Sequence, residues 1–382
     1  MTMRAPNLHV TCPPRRPLRR PRRASQRGAG IITAMLVVSL SAILVAGLLW
    51  RQQVQLRRIE NQRLIAQAQW ISRGALDWTR LVLRSQADTA AGITWLGGAW
   101  AVPVARTRLS DLLGQIGDVR AQQGAATYLA GSVEDAQARL NLRNLVSSPA
   151  PGLLQLNLTQ IEAFARLLQL LGINGQLAKN TAVHVRSGLM HSATRFQTDV
   201  TSTAQPLQGG AGGAGGAGGA AGASTFTRNP GLDDADSNSA VAPLMMTSVD
   251  ALLDVPGFTP DAVAKLRPFV TILPSTTAVN MNTASAEVIA ATVPGMNLSS
   301  AQAFVARRQH VFFRNVADVQ LALQGAGIPQ TSIDTKQWDV NTSYFLVHSR
   351  VDHERAEVVR TTLVWRDPLT HMTRIVRVGD EP

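Results

Sequence analysis

The chain has 382 residues, which allows two or three domains, and a formal net charge of +12. Eight arginines and no acid lie in residues 1–28, and without them the net charge falls to +4. The basicity therefore indicates membrane topology and excludes a broad nucleic-acid surface. The single cysteine, Cys12, lies in the same leader, so the rest of the chain has no disulfide framework and no thiol chemistry.

The first predicted element is a membrane-spanning helix behind this basic leader. The run from Ala29 to Trp50 holds 22 residues without a charge. At a rise of ~1.5 Å per residue it spans about 33 Å, enough to cross a bilayer core. Because arginines flank its start, we expect residues 1–28 to stay in the cytoplasm and the rest to be translocated.

Two other interpretations of residues 29–50 stay open. A buried core helix is one, although such a long uncharged run is more typical of a membrane span. A cleaved secretory signal is the other, but its apolar core is usually shorter and no clear Ala-x-Ala site precedes Trp50. The hydroxyls of Thr33, Ser39 and Ser41 suit a span, because they can bond back to helix carbonyls.

Helical patterning continues through residues 51–88, so we predict one stem helix from about Ala29 to about Ser85. Its apolar residues step by three or four positions, which predicts one buried stripe. The stripe consists of Leu64, Ala68, Ile71, Ala75, Trp78 and Val82. We expect Trp70 and Trp78 to be packing residues. A coiled-coil seam is the alternative, but the stripe is too short to favour it.

Several motifs carry a resemblance to a known family. They are Gln26-Arg27-Gly28 before the uncharged run, Arg-Arg-Ile-Glu-Asn-Gln-Arg at 57–63, Trp-Ala-Val-Pro-Val at 100–104, Val-Glu-Asp-Ala-Gln-Ala-Arg-Leu-Asn-Leu at 133–142, Pro-Gly-Phe-Thr-Pro at 256–260 and Val-Asn-Met-Asn-Thr-Ala at 279–284. With these motifs the chain resembles type IV pilin-type proteins over most of its length. It resembles most closely the minor pseudopilin K of type II secretion systems, also called general secretion pathway protein K.

The resemblance implies a function in assembly and no catalytic residues. Prepilin peptidase would cut after Gly28 and methylate the new amine of Ala29. The protein would sit in the inner membrane with its bulk in the periplasm, and would join I- and J-type minor pseudopilins, and an H-type one, at the tip of a pseudopilus. Thr33 stands where most pilins carry a glutamate, and pseudopilin K also lacks it, as suits a tip subunit.

The resemblance and the local patterns together predict an α+β fold. A pilin-type long transmembrane helix would pack on a small antiparallel sheet, whose first part is residues 89–148 and whose last part is residues 342–382. The first part contains a strand at Thr127–Val133, a tight turn at Glu134–Asp135 and a partner strand at Ala138–Leu142. The last part contains three strands. These are Tyr344–Val351, Glu357–Trp365 and Arg374–Val378.

Residues 149–341 are predicted to form a large inserted all-α domain. Thr159 and Glu162 form a capping box for a helix over Gln160–Leu171 that Gly172 ends. Residues 208–222 repeat Gly and Ala, which predicts a flexible linker. Further helices are expected at Leu177–His191, Ser248–Asp254, Pro260–Val270, Ala284–Val293, Ser299–Gln309 and Val316–Leu323. The Pro-Gly turns at 255–258 and 293–296 resemble helix-hairpin-helix or SAM-like units.

Helix-hairpin-helix units suggest DNA, whose phosphate is held by backbone N–H groups of a Gly-hydrophobic-Gly turn. Thr259 and Asn297 replace the second glycine in the two turns, so we expect no nucleic-acid binding. The nearby basic residues are Lys265, Arg267, Arg307 and Arg308. A membrane-anchored DNA-uptake protein stays open as the alternative function.

Calcium is the other ligand that the family resemblance implies. Asp233, Asp234 and Asp236 supply oxygen ligands at close spacing, but no bidentate glutamate follows them at a fitting offset. A solvated acidic loop is the competing interpretation, and a calcium-dependent binding module is a further open function. His184 and His191 share a helical face without a third metal ligand, and we expect no other cofactor.

Overall fold

The computed structural model describes residues 29–90, 92–114, 127–150, 153–202, 243–329 and 334–380. The leader with Gly28, the Gly and Ala repeats at 208–222, and Asp233, Asp234 and Asp236 lie outside the described residues. Within the described part a long apolar helix, an antiparallel sheet and a helical region confirm the predicted α+β fold class.

One helix, α1, runs from Ala29 to Thr89, as the sequence predicts. No proline occurs between Pro21 and Pro103, so nothing in this stretch removes a helical hydrogen bond. Polar groups in the apolar part are satisfied inside the helix, because the hydroxyls of Thr33 and Ser39 donate to carbonyls three residues earlier at 3.1 and 3.0 Å.

The chain divides into two compact units, Met1–Arg63 and Leu64–Pro382. The first unit holds the uncharged run, and the side chains from Gly30 to Trp50 are all exposed. In the described part of the chain, α1 is the one helix long and apolar enough to cross a membrane, and none of its apolar window is buried. This lack of burial by the described residues favours a membrane span over a buried core helix for residues 29–50.

The second unit contains a five-stranded antiparallel sheet with the strand order β1-β2-β9-β10-β11. Its strands are β1 Val104–Arg108, β2 Thr127–Asp135, β9 Tyr344–His353, β10 Ala356–Arg366 and β11 Thr373–Asp380. The three final strands form the predicted meander. Strand β2 pairs with β9 from Thr127↔His353 to Asp135↔Phe345, so strands from both sides of the helical region lie next to each other.

The second half of α1 packs on one face of this sheet, but not through the whole predicted stripe. Leu64 and Ala68 are buried as expected, whereas Trp78 is 49% exposed and Trp70 is 68% exposed. The buried face is rotated toward Ser72, whose hydroxyl lies 3.3 Å from that of Ser349 in β9. Small and polar residues on this face let the helix approach the sheet closely, and a purely apolar pattern does not identify them.

The predicted turn at Glu134–Asp135 and the partner strand at Ala138–Leu142 are wrong. Strand β2 continues through both acidic residues, and a 3-10 turn then covers Ala136–Ala138. Asp135 is buried, and its side chain accepts a hydrogen bond from the backbone N–H of Gln137 at 2.7 Å. This local bond ends the strand in place of a hairpin turn. The chain thus leaves the sheet after Asp135, before residue 149.

The helical region lies between β2 and β9. Its helices are α3 Leu158–Leu170, α4 Leu177–Ser202, α5 Pro260–Leu266, α6 Ala286–Thr292, α7 Leu298–His310 and α8 Val316–Gly325, and α2 Leu109–Gly114 precedes it. Short strands are β3 Leu140–Asn141, β4 Val146–Ala150, β5 Leu153–Leu156, β6 Val270–Thr271, β7 Val279–Asn280 and β8 Trp338–Asp339. Separate apolar cores surround Phe164 and Ile289. Gly257 and Gly295 adopt φ +102° and +82°, as tight Pro-Gly turns require.

Helix α3 is capped by Asn157 and not by the predicted Thr159–Glu162 box. The Asn157 side chain accepts a hydrogen bond from the N–H of Gln160 at 3.3 Å, while Thr159 is exposed. We expect Asn157→Ala to lower the free energy of unfolding by about 1 kcal/mol and Thr159→Ala to change it by less than about 0.5 kcal/mol. Urea denaturation of both variants measures this, and a larger loss in Thr159→Ala would restore the capping box.

Candidate assembly site

The predicted processing site lies at the start of α1. Ala29 is the first residue of the helix, and Gly28 lies outside the described residues. Trp50, at the far end of the uncharged run, is 70% exposed. A cut after Gly28 would therefore leave a new amine at the tip of an exposed apolar helix, and this cut stays a prediction.

The described residues do not gather a metal site. In the ranges that the structure describes, no three His, Cys, Asp or Glu side chains lie close enough to hold an ion. His184 and His191 lie on α4, and burial lowers the pKa of His184. A calcium site at Asp233, Asp234 and Asp236 stays a prediction.

The basic residues near the Pro-Gly turns have other partners. Arg308 is buried and donates to the carbonyl of Met281 at 2.6 Å, and burial lowers its pKa to about 10. It thereby holds α7 next to β7. Arg267 pairs with Asp250 at 2.5 Å. These two of the four residues considered for phosphate therefore have partners within the helical region.

The face of the stem opposite the sheet is apolar and exposed. Trp70, Trp78 and Leu81 are 68, 49 and 56% exposed, and their spacing places them on one side of the helix. The guanidinium of Arg73 lies 5.0 Å from the centre of the Trp70 ring. Exposed apolar patches of this kind mark interaction sites. We call Trp70, Trp78 and Leu81 the outer stem face.

Two motifs of the family resemblance meet in a buried polar cluster, which we call the joint: Asp135, Asn280, Thr283, Thr342 and Arg366. One carboxylate oxygen of Asp135 accepts from Asn280 Nδ2 at 2.8 Å and from the hydroxyls of Thr283 and Thr342 at 2.5 and 2.6 Å. Burial raises the pKa of the Asp135 carboxyl, and these donors act against that shift. A carboxylate needs this many donors to be stable away from water.

Arg366 completes the joint from strand β10. Its guanidinium donates to the carbonyl of Leu83 in α1 at 3.1 Å, to the hydroxyl of Thr94 at 3.0 Å and to the carbonyl of Thr342 at 2.9 Å. It also lies 4.8 Å from the centre of the Phe345 ring. Burial lowers the pKa of Arg366 to about 10, so the group stays charged at neutral pH.

A second pair of side chains extends this network. Asn141 donates to the carbonyl of Ser275 at 2.8 Å and accepts from the N–H of Leu273 at 3.1 Å. Asn144 bonds the carbonyl and the N–H of Thr277 at 2.7 and 3.0 Å. Both amides act as backbone mimics that hold the 273–277 loop. Asn141 belongs to the motif of residues 133–142, whereas Asn144 lies just beyond it.

The hydrogen bonds of the joint and of the two asparagines hold separate segments of the chain together. The outer stem face resembles a protein interface, since it places aromatic and aliphatic side chains beside an arginine.

Comparisons with known proteins agree with this geometry. Residues 279–341, which contain one joint motif, match the family model described as "Type II secretion system (T2SS), protein K". The chain is 26% identical over 347 residues to "Type II secretion system protein K" of Pseudomonas aeruginosa, with 89% of each chain covered. It is 23% identical over 338 residues to the protein of the same name from Pectobacterium carotovorum, covering 86% of this chain and 89% of the relative.

The fold also has a solved counterpart. A chain of the GspK-GspI-GspJ complex from the enterotoxigenic Escherichia coli type 2 secretion system aligns with a TM-score of 0.60 and 15% identity, covering 85% of this chain and 99% of that one. At this identity the likeness concerns the fold alone. The chain is thus similar to type II secretion system protein K over most of its length.

Proposed function

We propose that this protein is a minor pseudopilin that forms part of the tip of a periplasmic pseudopilus, the structure with which a type II secretion system exports folded proteins. It acts as an assembly component and not as an enzyme. One observation carries this proposal: α1 is continuous from an exposed apolar run into a stem that packs on an antiparallel sheet. Such a helix suits a subunit that moves from a membrane into a filament.

The proposed location is the inner membrane, with the N-terminus in the cytoplasm and Leu64–Pro382 in the periplasm. The eight arginines of residues 1–28 support this orientation, because basic flanks are retained on the cytoplasmic side. Prepilin peptidase is the proposed processing enzyme, cutting between Gly28 and Ala29.

The proposed partners are the I- and J-type minor pseudopilins, with an H-type subunit beyond them. The solved counterpart is part of a complex with GspI and GspJ, which supports this choice. We propose that these partners contact the outer stem face, because it is apolar, exposed and opposite the sheet. The bulk of the helical region and the absence of a glutamate at Thr33 support a position with no subunit stacked above it.

The partner contact can be tested by replacing Trp70 and Trp78 together with serine. Exposed tryptophans at an interface commonly contribute at least about 2 kcal/mol each. We therefore expect co-purification with the I- and J-type subunits of the same secretion system to fall at least about tenfold, with an unchanged melting temperature. Leu369→Ser is the matched control, since Leu369 is 88% exposed in the β10–β11 connection and is not part of the outer stem face.

Two results would argue against this contact. Undiminished complex formation by the Trp70→Ser, Trp78→Ser variant would mean that the outer stem face is not part of the interface. An equal loss in Leu369→Ser would mean that any exposed apolar residue matters. A calcium-dependent rise in melting temperature would separately support the ligand role of Asp233, Asp234 and Asp236.

A further inference from the structure

The helical region is attached to the sheet by two chain crossings that lie side by side. The chain leaves the sheet after Asp135 and returns at Tyr344, and Asp135 pairs with Phe345 in the β2–β9 ladder. Without other contacts, two adjacent crossings form a hinge, because the helical region can rotate about them without breaking any strand pairing. The orientation of the helical region therefore depends on contacts placed across the hinge.

The Asp135 carboxylate spans this hinge. It sits at the end of β2, yet its hydrogen-bond donors come from beyond both crossings: Asn280 and Thr283 lie deep in the helical region, and Thr342 lies just before the return. Asn280 also donates to the carbonyl of Thr94 at 3.1 Å. A rotation of the helical region would strip donors from a buried carboxylate, which costs several kcal/mol.

Arg366 connects the same point to the stem. Its guanidinium holds the Leu83 carbonyl of α1, the Thr94 hydroxyl beyond the end of α1 and the Thr342 carbonyl at the return crossing. The N–H of Thr94 donates in turn to the carbonyl of Val340 at 2.8 Å. One charged group thus fixes the end of the stem to both the sheet and the helical region.

Apolar and ring-stacking contacts also join the helical region to the sheet and the stem, but they define its angle less sharply. Leu273 packs in an apolar cluster with Tyr344 and Leu363, and the rings of Trp95 and Phe312 stack with centroids 4.8 Å apart. Apolar burial is non-directional, so it tolerates small rotations. Hydrogen bonds to a buried carboxylate and guanidinium are directional and do not.

We propose that the joint is an orientation lock, in which Asp135 and Arg366 are positioning residues that hold the helical region at one angle to the stem. The lock acts within a single chain, so this inference does not depend on the proposed partners or on secretion. The lock also explains why polar residues from two motifs that are far apart in the sequence are buried next to each other.

The lock can be tested by measuring distances in the purified full chain in detergent. Cys12→Ser removes the single cysteine of the sequence, so spin labels can be placed at Ser85→Cys on the stem and Gln302→Cys on α7 whether or not the leader is cut. Pulsed electron resonance should give one narrow distance distribution. A second pair, Lys179→Cys with Gln302→Cys, reports on the helical region alone.

We expect Arg366→Gln to widen the stem-to-α7 distribution at least twofold and to leave the Lys179–Gln302 distribution unchanged. Arg374→Gln is the matched control on the neighbouring strand β11, with no expected change in either. Should Arg366→Gln fail to fold, Thr342→Val removes one hydroxyl donor to Asp135 and is expected to widen the same distribution. A folded variant of either kind with the narrow distribution of the wild type would overturn the proposal, even if its melting temperature were lower.

Discussion

Asp135→Asn is expected to lower the free energy of unfolding by about 3 kcal/mol, a large share of the stability of any domain. The substitution keeps the shape of the side chain but turns one acceptor oxygen into an amide donor. Both carboxylate oxygens of Asp135 already accept hydrogen bonds, one from the N–H of Gln137 and the other from Asn280, Thr283 and Thr342. Whichever way the amide turns, it therefore places a donor against a donor in a buried site.

Asp77→Asn is the matched control for this experiment. Asp77 is exposed on the stem and pairs with Arg80 at 2.8 Å, a surface ion pair whose loss costs less than about 1 kcal/mol. Denaturant titration of both variants with a common slope measures the difference. Equal, small losses for the two substitutions would mean that Asp135 is not held by the network described above.

Leu83→Ala is expected to lower the free energy of unfolding by about 3 kcal/mol, because it leaves a cavity between the stem and the sheet. Leu83 is fully buried and packs with Trp100, Phe345, Val347 and Val364. Leu81→Ala, two residues earlier on the same helix, should cost less than about 1 kcal/mol, since Leu81 is 56% exposed.

Substitutions of Leu81 and Leu83 thus test different faces of the stem: the exposed outer stem face and the face that packs on the sheet. Leu81→Ala should weaken partner binding at nearly full stability, whereas Leu83→Ala should lower stability first. Thermal melts and co-purification of the two variants side by side give this comparison. A greater loss of stability in Leu81→Ala would place the sheet on the opposite side of the helix.

Most of the architecture could be predicted from local patterns. The uncharged run and the absence of proline predicted α1, and β-branched runs predicted β9, β10 and β11 because strands of a meander pair with their neighbours along the chain. The repeated Val-Pro-Gly pattern predicted the two turns, in which Gly257 and Gly295 adopt a positive φ. These features depend on residues that lie close together in the sequence.

The wrong predictions concern residues whose structure depends on contacts with segments that are distant in the sequence. Glu134–Asp135 looks like a turn locally, but Asp135 is buried by residues 280, 283 and 342, so β2 continues and ends against the joint. Trp78 follows the apolar stripe by spacing, yet the sheet contacts the smaller Ser72.

The candidate site likewise has one part that the sequence predicts and other parts that it does not. The processing junction at Gly28 and Ala29 depends on a short motif, which the sequence carries on its own. The joint could not be assembled from the sequence, because Asp135 and Arg366 are far apart along the chain and no periodicity relates them. The outer stem face was missed because both tryptophans were assigned to packing.

We propose that α1 is a pilin-type stem, cut after Gly28 and inserted with the body of the chain in the periplasm. Mass spectrometry of the N-terminal peptide, after co-expression with prepilin peptidase, tests it most directly. We predict a mature chain that begins at N-methylated Ala29 and remains in the membrane fraction. A chain that keeps its arginine-rich leader, or one cut near Trp50 and released, would contradict the account.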